Sequence, residues 1–386
     1  MQVIHFLLIT LSLMSHSFGI PVKRNWDANA AFTSALNATW SVFWNTQYDS
    51  FNQNDPACPN SFFNYASVWD VAVAGKATTN SGDIGKTTQI INTLYKYQNS
   101  DGWFTSTPGG NEMYVDDNAQ VLWVFLDAYD LTKNQQYLTT AINLMDLIQT
   151  QWSEIGGVIW QVGADYVASI STTEAALSAV KLYQYNNDQT LLTFANSCLT
   201  WMDEHLTDTD GFYFDGINQK DWAVNCGKLT YTVGVAMSTY AYLYKYTGDL
   251  HYVLDAVRKA YGTLTSNVFL RSNGFWNNDL RYVHLLFAGF ADLITMCGQS
   301  GYIPQVADQA LFIYDYDSIG GGNYLDFTSN SETYDRYVAD TSDRSIVFQD
   351  SNNTYCNGVI GGQLERSLID NASAAQIFYE ISRFYG

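Results

Sequence analysis

The sequence predicts an all-α protein in which six helical hairpins close into an (α/α)6 toroid, or barrel, that forms a single domain. Three observations indicate this fold. Apolar residues recur at helical spacing in twelve segments, glycine-aromatic loops return at similar intervals, and no linker-like stretch divides the 386-residue chain, which has only 5 prolines. Helix pairs that repeat in this way stack side by side, and six of them close naturally into an inner and an outer ring.

The twelve predicted helices are separated by short connections, as expected for antiparallel neighbours. They cover residues 27–46, 60–79, 86–98, 117–131, 134–152, 170–186, 188–205, 229–247, 249–265, 277–297, 301–313 and 371–385. The predicted domain therefore runs from 25 to 386. Residues 314–369 are rich in Asp, Ser, Asn and Gly, and we expect them to form a long ordered loop that lies against the barrel.

Four connections share one pattern, a turn glycine followed by aromatic residues. Their glycines lie 54 to 63 residues apart, which is long enough for one pair of helices per repeat. The four loops are Asp101-Gly102-Trp103-Phe104, Gly156-Gly157-Val158-Ile159-Trp160, Asp210-Gly211-Phe212-Tyr213-Phe214 and Asn273-Gly274-Phe275-Trp276. Closure of the ring would gather these loops at one mouth. We therefore expect Trp103, Trp160, Phe214 and Trp276 to surround a common funnel.

The first residues of the chain are typical of a secretory signal peptide, which we assign to 1–19. The apolar run 3–14 is too short to span a bilayer, and small residues stand at the cleavage positions. The following Lys23-Arg24 is either a processing site, which would extend a pro-segment to residue 24, or a pair of solvated charges. We expect a secreted product without a membrane span. Sequons at Asn37, Asn352 and Asn371 suit a secreted glycoprotein.

Five cysteines fit an oxidising compartment, in which one or two disulfides are expected. Their connectivity cannot be deduced from spacing, and the odd count leaves at least one thiol unpaired or paired between chains. No Cys-x-x-Cys pair occurs, the histidines are isolated, and the acids of 314–369 lack the spacing of a calcium loop. The sequence therefore predicts neither a metal site nor a cofactor.

Charge and aromatic content constrain the partner. The formal net charge is -20, with 38 acidic and 18 basic residues, which argues against nucleic acids and anionic membranes because phosphate binding needs clustered Lys and Arg. Aromatic residues make up 16% of the chain, more than a core of this size needs, so some should be exposed in a groove. A neutral or cationic substrate fits best, and we expect a monomer.

Two adjacent acids, Asp116 and Asp117, stand at the start of a predicted helix. The apolar residues that follow, such as Val121 and Phe125, recur at helical spacing, so the free N–H groups of the first turn face the pair. Asp is also a common N-cap, which is the alternative interpretation. As a functional pair, however, the two carboxyls repel one another while the helix dipole favours one ionised form, so they can hold different protonation states.

A toroid lined by aromatic loops and acids suggests a carbohydrate substrate. Sugar rings present apolar faces that pack on Trp and Tyr, and glycoside hydrolysis needs two carboxyls. Neighbouring residues place carboxyls about 5–5.5 Å apart, the separation of retaining enzymes, more readily than the wider inverting separation. The spacing of Asp116 and Asp117 therefore predicts retention of configuration.

The residues Tyr114-Val115-Asp116-Asp117-Asn118-Ala119, with the aromatic helix that follows, resemble the signature of glycoside hydrolase family 76, the family of endo-α-1,6-mannanases. The loop 156–160 resembles the Gly-Gly-x-Ile-Trp segment of that family. Thr230-Tyr231, with Gly234-Val235, is similar to its Trp-Thr-Tyr-Asn-Gln-Gly-Val segment, although Leu229 replaces the tryptophan and Thr232-Val233 replaces the Asn-Gln. The resemblance covers about 60–250.

The resemblance implies a secreted retaining glycosidase that cleaves α-1,6-mannosidic linkages in mannan, with Asp116 as nucleophile and Asp117 as acid/base. Alternatives are a transglycosylase, a hydrolase of a related α-linked cell-wall glycan, and a binding homologue without turnover. Sugar epimerases share such a toroid but use paired histidines, which are lacking here. The candidate substrate-binding residues are Trp103, Tyr114, Asn118, Trp160 and Tyr231.

Overall fold

A computed structural model describes residues 26–349 and 354–385, and it contains thirteen α-helices and three small antiparallel sheets in this part of the chain. The helices are α1 Ala28–Phe43, α2 Val68–Asn80, α3 Ile84–Leu94, α4 Val115–Thr132, α5 Gln135–Gln149, α6 Ser169–Asn186, α7 Gln189–His205, α8 Thr230–Thr247, α9 Leu250–Thr265, α10 Leu280–Cys297, α11 Ile303–Phe312, α12 Ser331–Thr341 and α13 Leu368–Ser382. The predicted signal peptide, the site at Lys23-Arg24 and the sequon at Asn352 lie outside the described residues and stay predictions.

The helices form two concentric rings, which confirms the predicted (α/α)6 toroid. The inner ring runs α2, α4, α6, α8, α10, α13, and α13 packs back on α2 to close it. The outer ring consists of α1, α3, α5, α7, α9 and α11. The inner helix α4 buries nearly every residue from Val115 to Leu126, whereas the outer helix α9 buries one face only, as expected for helices inside and outside a closed core.

Two glycines allow the closest helix contact in the ring, between α8 and α10. A Cβ atom built on Gly234 would lie 2.2 Å from the carbonyl oxygen of Leu285, and one on Gly289 would lie 2.4 Å from the oxygen of Gly234. Only hydrogen side chains permit this approach. The position of α8 against α10 therefore depends on the absence of a side chain at both residues.

The four glycine-aromatic loops adopt the same turn. In each loop the N–H of the turn glycine donates to the carbonyl of the residue three positions earlier. The N–H of that earlier residue in turn donates to the carbonyl of the residue that follows the glycine. The turn glycines Gly102, Gly156, Gly211 and Gly274 all have positive φ, which glycine adopts without strain. The predicted internal repeat is thus confirmed for these four loops, and each turn joins an outer helix to the next inner helix.

The aromatic residues of these loops do not surround one funnel, which corrects the prediction. Trp103 is only 5% exposed and belongs to the hydrophobic core, and the indole of Trp276 donates to the carbonyl of Thr263 in the interior. Trp160 differs because it lies outside the repeat register: the residue equivalent to Trp103 in the second loop is Gly157. The residues at the position of Trp103 pack between the two rings. Trp160 lies three positions after Gly157 and is 39% exposed.

Residues 313–367 contain more regular structure than the predicted loop. A π-helical turn at Ile313–Asp317, the pair β6 Ser318–Gly320 and β7 Asn323–Tyr324, and helix α12 surround a second apolar cluster. The cluster consists of Phe312, Tyr316, Phe327, Tyr337 and Ile346. Helix α12 was missed because its buried side rests on this cluster, which only long-range folding assembles.

A disulfide and an ion pair tie the end of this segment to the loop before α2. Cys58 bonds Cys356 across a separation of 298 residues, and the guanidinium of Arg366 contacts both oxygens of Asp55 at 2.7 and 2.6 Å. These contacts lie in the loop between α1 and α2, and α2 begins after its Ser67 cap rather than at the predicted residue 60.

The other short strands lie in the loops of the barrel. Strands β1 Trp44–Asn45 and β2 Ser50–Phe51 pair after α1, and β3 Tyr166–Ala168, β4 Gly216–Asn218 and β5 Val224–Asn225 form a three-stranded sheet beside the mouth. Helix α10 is long and apolar enough to cross a membrane, but 67% of it is buried inside the barrel, as in a core helix.

The sequon at Asn371 is incompatible with the fold. Asn371 is fully buried on α13, where its amide oxygen accepts from the N–H of Tyr324 and its amide nitrogen donates to Asn323. A glycan there would have to displace this contact. Asn37 lies exposed on α1, so it is the one predicted sequon among the described residues that is accessible.

Candidate active site

The acids Asp116 and Asp117 occupy the first turn of the inner helix α4, as predicted. Tyr114 is the N-cap residue, with extended backbone, and its side chain makes no capping hydrogen bond. Both carboxyls are therefore placed by the helix start at the mouth of the barrel. Both residues are half-buried, so each keeps some contact with the open cleft.

Asn118 fixes the loop before this helix start. Its amide oxygen accepts the N–H of Phe104 at 2.8 Å, and its amide nitrogen donates to the carbonyls of Phe104 and Tyr114 at 2.9 and 2.7 Å. Because Asn118 is fully buried and both ends of its amide are bonded to backbone, it cannot bind sugar. The predicted role in substrate binding is wrong for Asn118, and for the buried Trp103 as well.

The carboxylate of Asp116 accepts two hydrogen bonds that favour its ionised form. One comes from the N–H of Asp117 at 3.1 Å and the other from the indole of Trp160 at 3.1 Å. Burial acts in the opposite direction and raises the pKa of Asp116 to about 6, and the charge of Asp215 adds to this rise. Asp116 is thus the acid of the pair that receives hydrogen bonds.

Burial also raises the pKa of Asp117 well above its ordinary value, and the neighbouring charges of Asp116 and Asp70 raise it further. No hydrogen bond among the described residues supports its ionised form. The environment therefore separates the two carboxyls: as pH rises, Asp116 ionises first and Asp117 keeps its proton longer. This is the split that the two roles of a retaining glycosidase require.

Three of the predicted binding residues surround the pair. Trp160 packs on Tyr114 with ring centroids 4.9 Å apart; its carbonyl oxygen accepts the N–H of Val115, and its own N–H donates to the carbonyl of Tyr166. Tyr231, in the first turn of α8, is half-buried. Burial raises its pKa, and the nearby charge of Asp116 raises it further. Trp160, Tyr114 and Tyr231 therefore lie beside the acids.

Two further acids of the site were not singled out from the sequence. Glu174, on α6, is fully buried; one carboxyl oxygen accepts from Gln120 at 3.0 Å, and the other has no partner among the described residues. Burial raises its pKa well above the ordinary value, as do the charges of Asp116 and Asp117. We therefore expect Glu174 to be neutral. No local pattern marks this residue, because only the closure of the ring brings α6 beside α4.

Asp215 is the second of these acids. Its carboxylate accepts from the hydroxyl of Tyr166 at 2.6 Å and from the amide of Asn225 at 2.9 Å, which anchors it to β3 and β5. It lies directly after the third glycine-aromatic loop, and this position is the one sequence signal that could have identified it. The charge of Asp215 raises the pKa of Asp116, so the two carboxylates are electrostatically coupled.

A cleft of about 1200 Å³ opens at the first turns of α2, α10 and α13, and the charge of Asp70, which lines it, is near enough to Asp117 to raise the pKa of that acid. Its floor carries first-turn residues of these helices, namely Asp70, Arg281 and Asp370, and its far wall consists of residues from the segment 313–367. Trp69 and Tyr282 stack at its edge with centroids 6.1 Å apart. The cleft is large enough for several sugar units and is lined mainly by polar groups.

Comparison with known proteins places the chain in a family. The profile of glycosyl hydrolase family 76 matches residues 27–311, which is more than half of the chain. The meiotically up-regulated gene 191 protein of Schizosaccharomyces pombe is 29% identical over 202 residues, or 46% of each chain. A mannan endo-1,6-alpha-mannosidase of Candida glabrata is 32% identical over 124 residues, which cover 29% of this chain and 28% of that protein. The chain thus spans less than half the length of these curated relatives.

Solved structures of low sequence identity share the fold. An α-mannanase of family 76 from Bacteroides thetaiotaomicron superimposes with a TM-score of 0.74 at 16% identity and covers 93% of this chain and 96% of its own. An inactive variant of the α-1,6-mannanase of Salegentibacter, with two adjacent aspartates replaced and α-1,6-mannotriose bound, superimposes with a TM-score of 0.71 at 18% identity, covering 92% and 99%. The profile match and the shared double ring agree: the chain belongs to glycosyl hydrolase family 76.

Proposed function

We propose that this protein is a secreted, retaining endo-α-1,6-mannosidase that cleaves mannan. One observation carries the proposal: two carboxyls stand side by side in the first turn of α4, yet only Asp116 receives hydrogen bonds that favour its ionised form. The substrate class is supported by the relatives, since one is named a mannan endo-1,6-alpha-mannosidase and another binds α-1,6-mannotriose as an inactive variant. The large aromatic-edged cleft beside the pair suits a polysaccharide.

The reaction proceeds in two steps with one carboxyl in each role. The ionised Asp116 attacks the anomeric carbon and forms a covalent glycosyl ester, while Asp117 gives its proton to the departing glycosidic oxygen. Asp117, now ionised, then takes a proton from water, and the resulting attack on the anomeric carbon releases Asp116. The two inversions leave the product with its original configuration.

Substitution of each acid tests the assignment. Asp116→Asn should lower kcat by more than about 10⁴-fold on every substrate, because no ester can form. Asp117→Asn should lose about 10²–10⁴-fold on mannan but less in the first step on an aryl α-mannoside, whose leaving group needs no proton. The exposed Asp101→Asn, at the same end of the barrel, is the matched control and should behave like the unmutated protein.

The decisive measurement is product analysis on α-1,6-mannan combined with trapping by a fluorinated mannosyl donor. We expect internal cleavage products of retained configuration and a label on Asp116. An inverted product or a label elsewhere would disprove the roles, and the absence of any cleavage of α-1,6-linked mannan would disprove the substrate.

A further inference from the structure

A second cavity lies at the end of the barrel opposite the catalytic pair. Its volume is about 220 Å³, it is partly open, and residues from all six inner helices line it. Each inner helix contributes one prominent polar residue: Lys76, Asp127, Lys181, Tyr242, Asp292 and Arg383 in chain order. Asp127 follows Asp116 by eleven residues on α4, so roughly 16 Å of helix separates the two sites. No residue lines both this distal cavity and the large cleft at the first turns of α2, α10 and α13.

Layers of bonded side chains fill the barrel between the two sites. Gln120 bonds Glu174, and one turn further along the helices the indole of Trp123 donates to the hydroxyl of Ser178 at 2.8 Å. The amide of Gln376 donates to the carbonyl of Val73 across the same interior. The distal cavity is therefore a separate compartment and not the floor of the catalytic cleft.

Three basic and three acidic side chains line the distal cavity, but they are not all paired with one another. Lys76 pairs with Asp127 at 2.5 Å. Arg383 pairs with two carboxylates, Asp292 at 2.8 Å and Glu380, which leaves a surplus of one negative charge around it. Lys181 has no carboxylate partner within the described residues.

Instead, the ammonium of Lys181 lies over the rings of Tyr242 and Trp123, at 5.1 and 5.9 Å from their centroids. Helix α6 stands opposite α13 in the ring order, so Lys181 and the acids around Arg383 face each other across the distal cavity. One side thus offers hydrogen-bond donors and the other side offers acceptors. A hydroxyl-rich molecule complements both sides, because each hydroxyl donates one hydrogen bond and accepts others.

We propose that the distal cavity binds a single neutral hexose. The balanced total charge disfavours an ion, and the partly exposed rings of Tyr242 and Tyr379 give a sugar the apolar face on which it packs. The volume lies below the roughly 300–1,000 Å³ of sites for drug-sized ligands, which fits one sugar ring and not a chain. This site goes beyond the proposed hydrolysis and does not depend on it.

The test uses the full chain carrying Asp116→Asn and Asp117→Asn, so that no sugar is turned over. D-Mannose, D-glucose, D-galactose and inorganic phosphate are titrated by calorimetry and by saturation-transfer NMR. We expect saturable binding of at least one hexose, and Lys181→Met should weaken it about tenfold or more. Lys133→Met is the matched control, because that ammonium also lies over a ring, at 5.2 Å from Tyr129, but outside the distal cavity.

Two more variants separate the possible outcomes. Ala288→Leu fills the distal cavity without removing a charge and should also abolish hexose binding, while thermal unfolding checks that the variants fold. Trp160→Ala alters only the catalytic cleft and should leave this binding intact. The proposal is overturned if no hexose binds, if binding disappears with Trp160→Ala but survives Lys181→Met, or if phosphate alone binds.

Discussion

The indole of Trp160 combines a partly exposed ring with a hydrogen bond to Asp116. Its ring is the most exposed aromatic surface beside the acids, while its N–H donates to the carboxylate that we propose as nucleophile. Such a bond stabilises the charged form of Asp116 and so opposes the rise in pKa that burial causes. Trp160 was predicted from its loop position as a sugar platform, but its bond to Asp116 was not.

The pH dependence of activity should report this bond. The proposed mechanism needs Asp116 ionised and Asp117 protonated, so kcat/KM should fall below about pH 6 as Asp116 gains a proton, and fall again at higher pH as Asp117 loses its proton. Trp160→Phe removes the donor and keeps a ring. The pKa of Asp116 should then rise, and the acidic limb should move up by about 0.5 to 1 pH unit. An acidic limb that stays in place or moves down would contradict the assignment.

At the scale of the helix, several inner helices carry charged residues in their first turns. The third residues of α2, α4 and α13 are Asp70, Asp117 and Asp370, and α10 contributes Arg281 and Tyr282. Since all inner helices run parallel and start at the same mouth, equivalent positions converge on one cleft. The repeat that builds the barrel thus also brings together residues that are far apart in the chain.

The contact of α8 with α10 gives a prediction at this scale. Gly234→Ala would place a Cβ atom against the backbone of Leu285, and backbone cannot yield as a flexible side chain does. We expect a loss of about 1–3 kcal/mol or more and a lower Tm, because the two helices must move apart. Gly301→Ala is the control, since its Cβ would meet nothing within 4 Å. Equal Tm values for the two variants would show that the ring absorbs the change.

At the scale of the molecule, the segment 313–367 completes the cleft from outside the profile-matched region. The family profile ends at residue 311, yet residues beyond it form the far wall of the large cleft. A disulfide and an ion pair connect this wall to the loop before α2, namely Cys58–Cys356 and Arg366–Asp55. The segment is therefore part of the surface that the cleft presents to a ligand, and long-range bonds hold it in place.

Removal of the disulfide tests the importance of that fastening. Cys58→Ser with Cys356→Ser should lower the free energy of unfolding by about 2–4 kcal/mol, because the bond closes a very long loop. Activity on mannan should fall more than activity on a small aryl mannoside, since only the polymer extends along the braced wall. Cys226→Ser, at an exposed free thiol, is the control and should leave Tm unchanged. An unchanged Tm in the double variant would contradict the role of the bond.

The local sequence was sufficient for features that depend on short-range order. Helical periodicity predicted twelve of the thirteen helices, and the regular loops predicted closure into two rings, because both signals recur within a few tens of residues. The position of Asp116 and Asp117 at a helix start was equally local. Tyr114 and Tyr231 lie at helix starts and Trp160 lies in the loop before α6, and the role of the three residues in substrate binding stays a prediction.

Burial, in contrast, was decided only by tertiary structure. Trp103 and Trp160 follow similar glycine turns, yet one packs between the rings and the other faces the cleft, because register relative to the neighbouring helices determines which side is covered. The side-chain amide of Asn118 is fully hydrogen-bonded to backbone groups. We expect Glu174 to be neutral only because α6 packs beside α4 and buries it. These properties depend on contacts between residues that are distant in sequence, which periodicity and spacing do not encode.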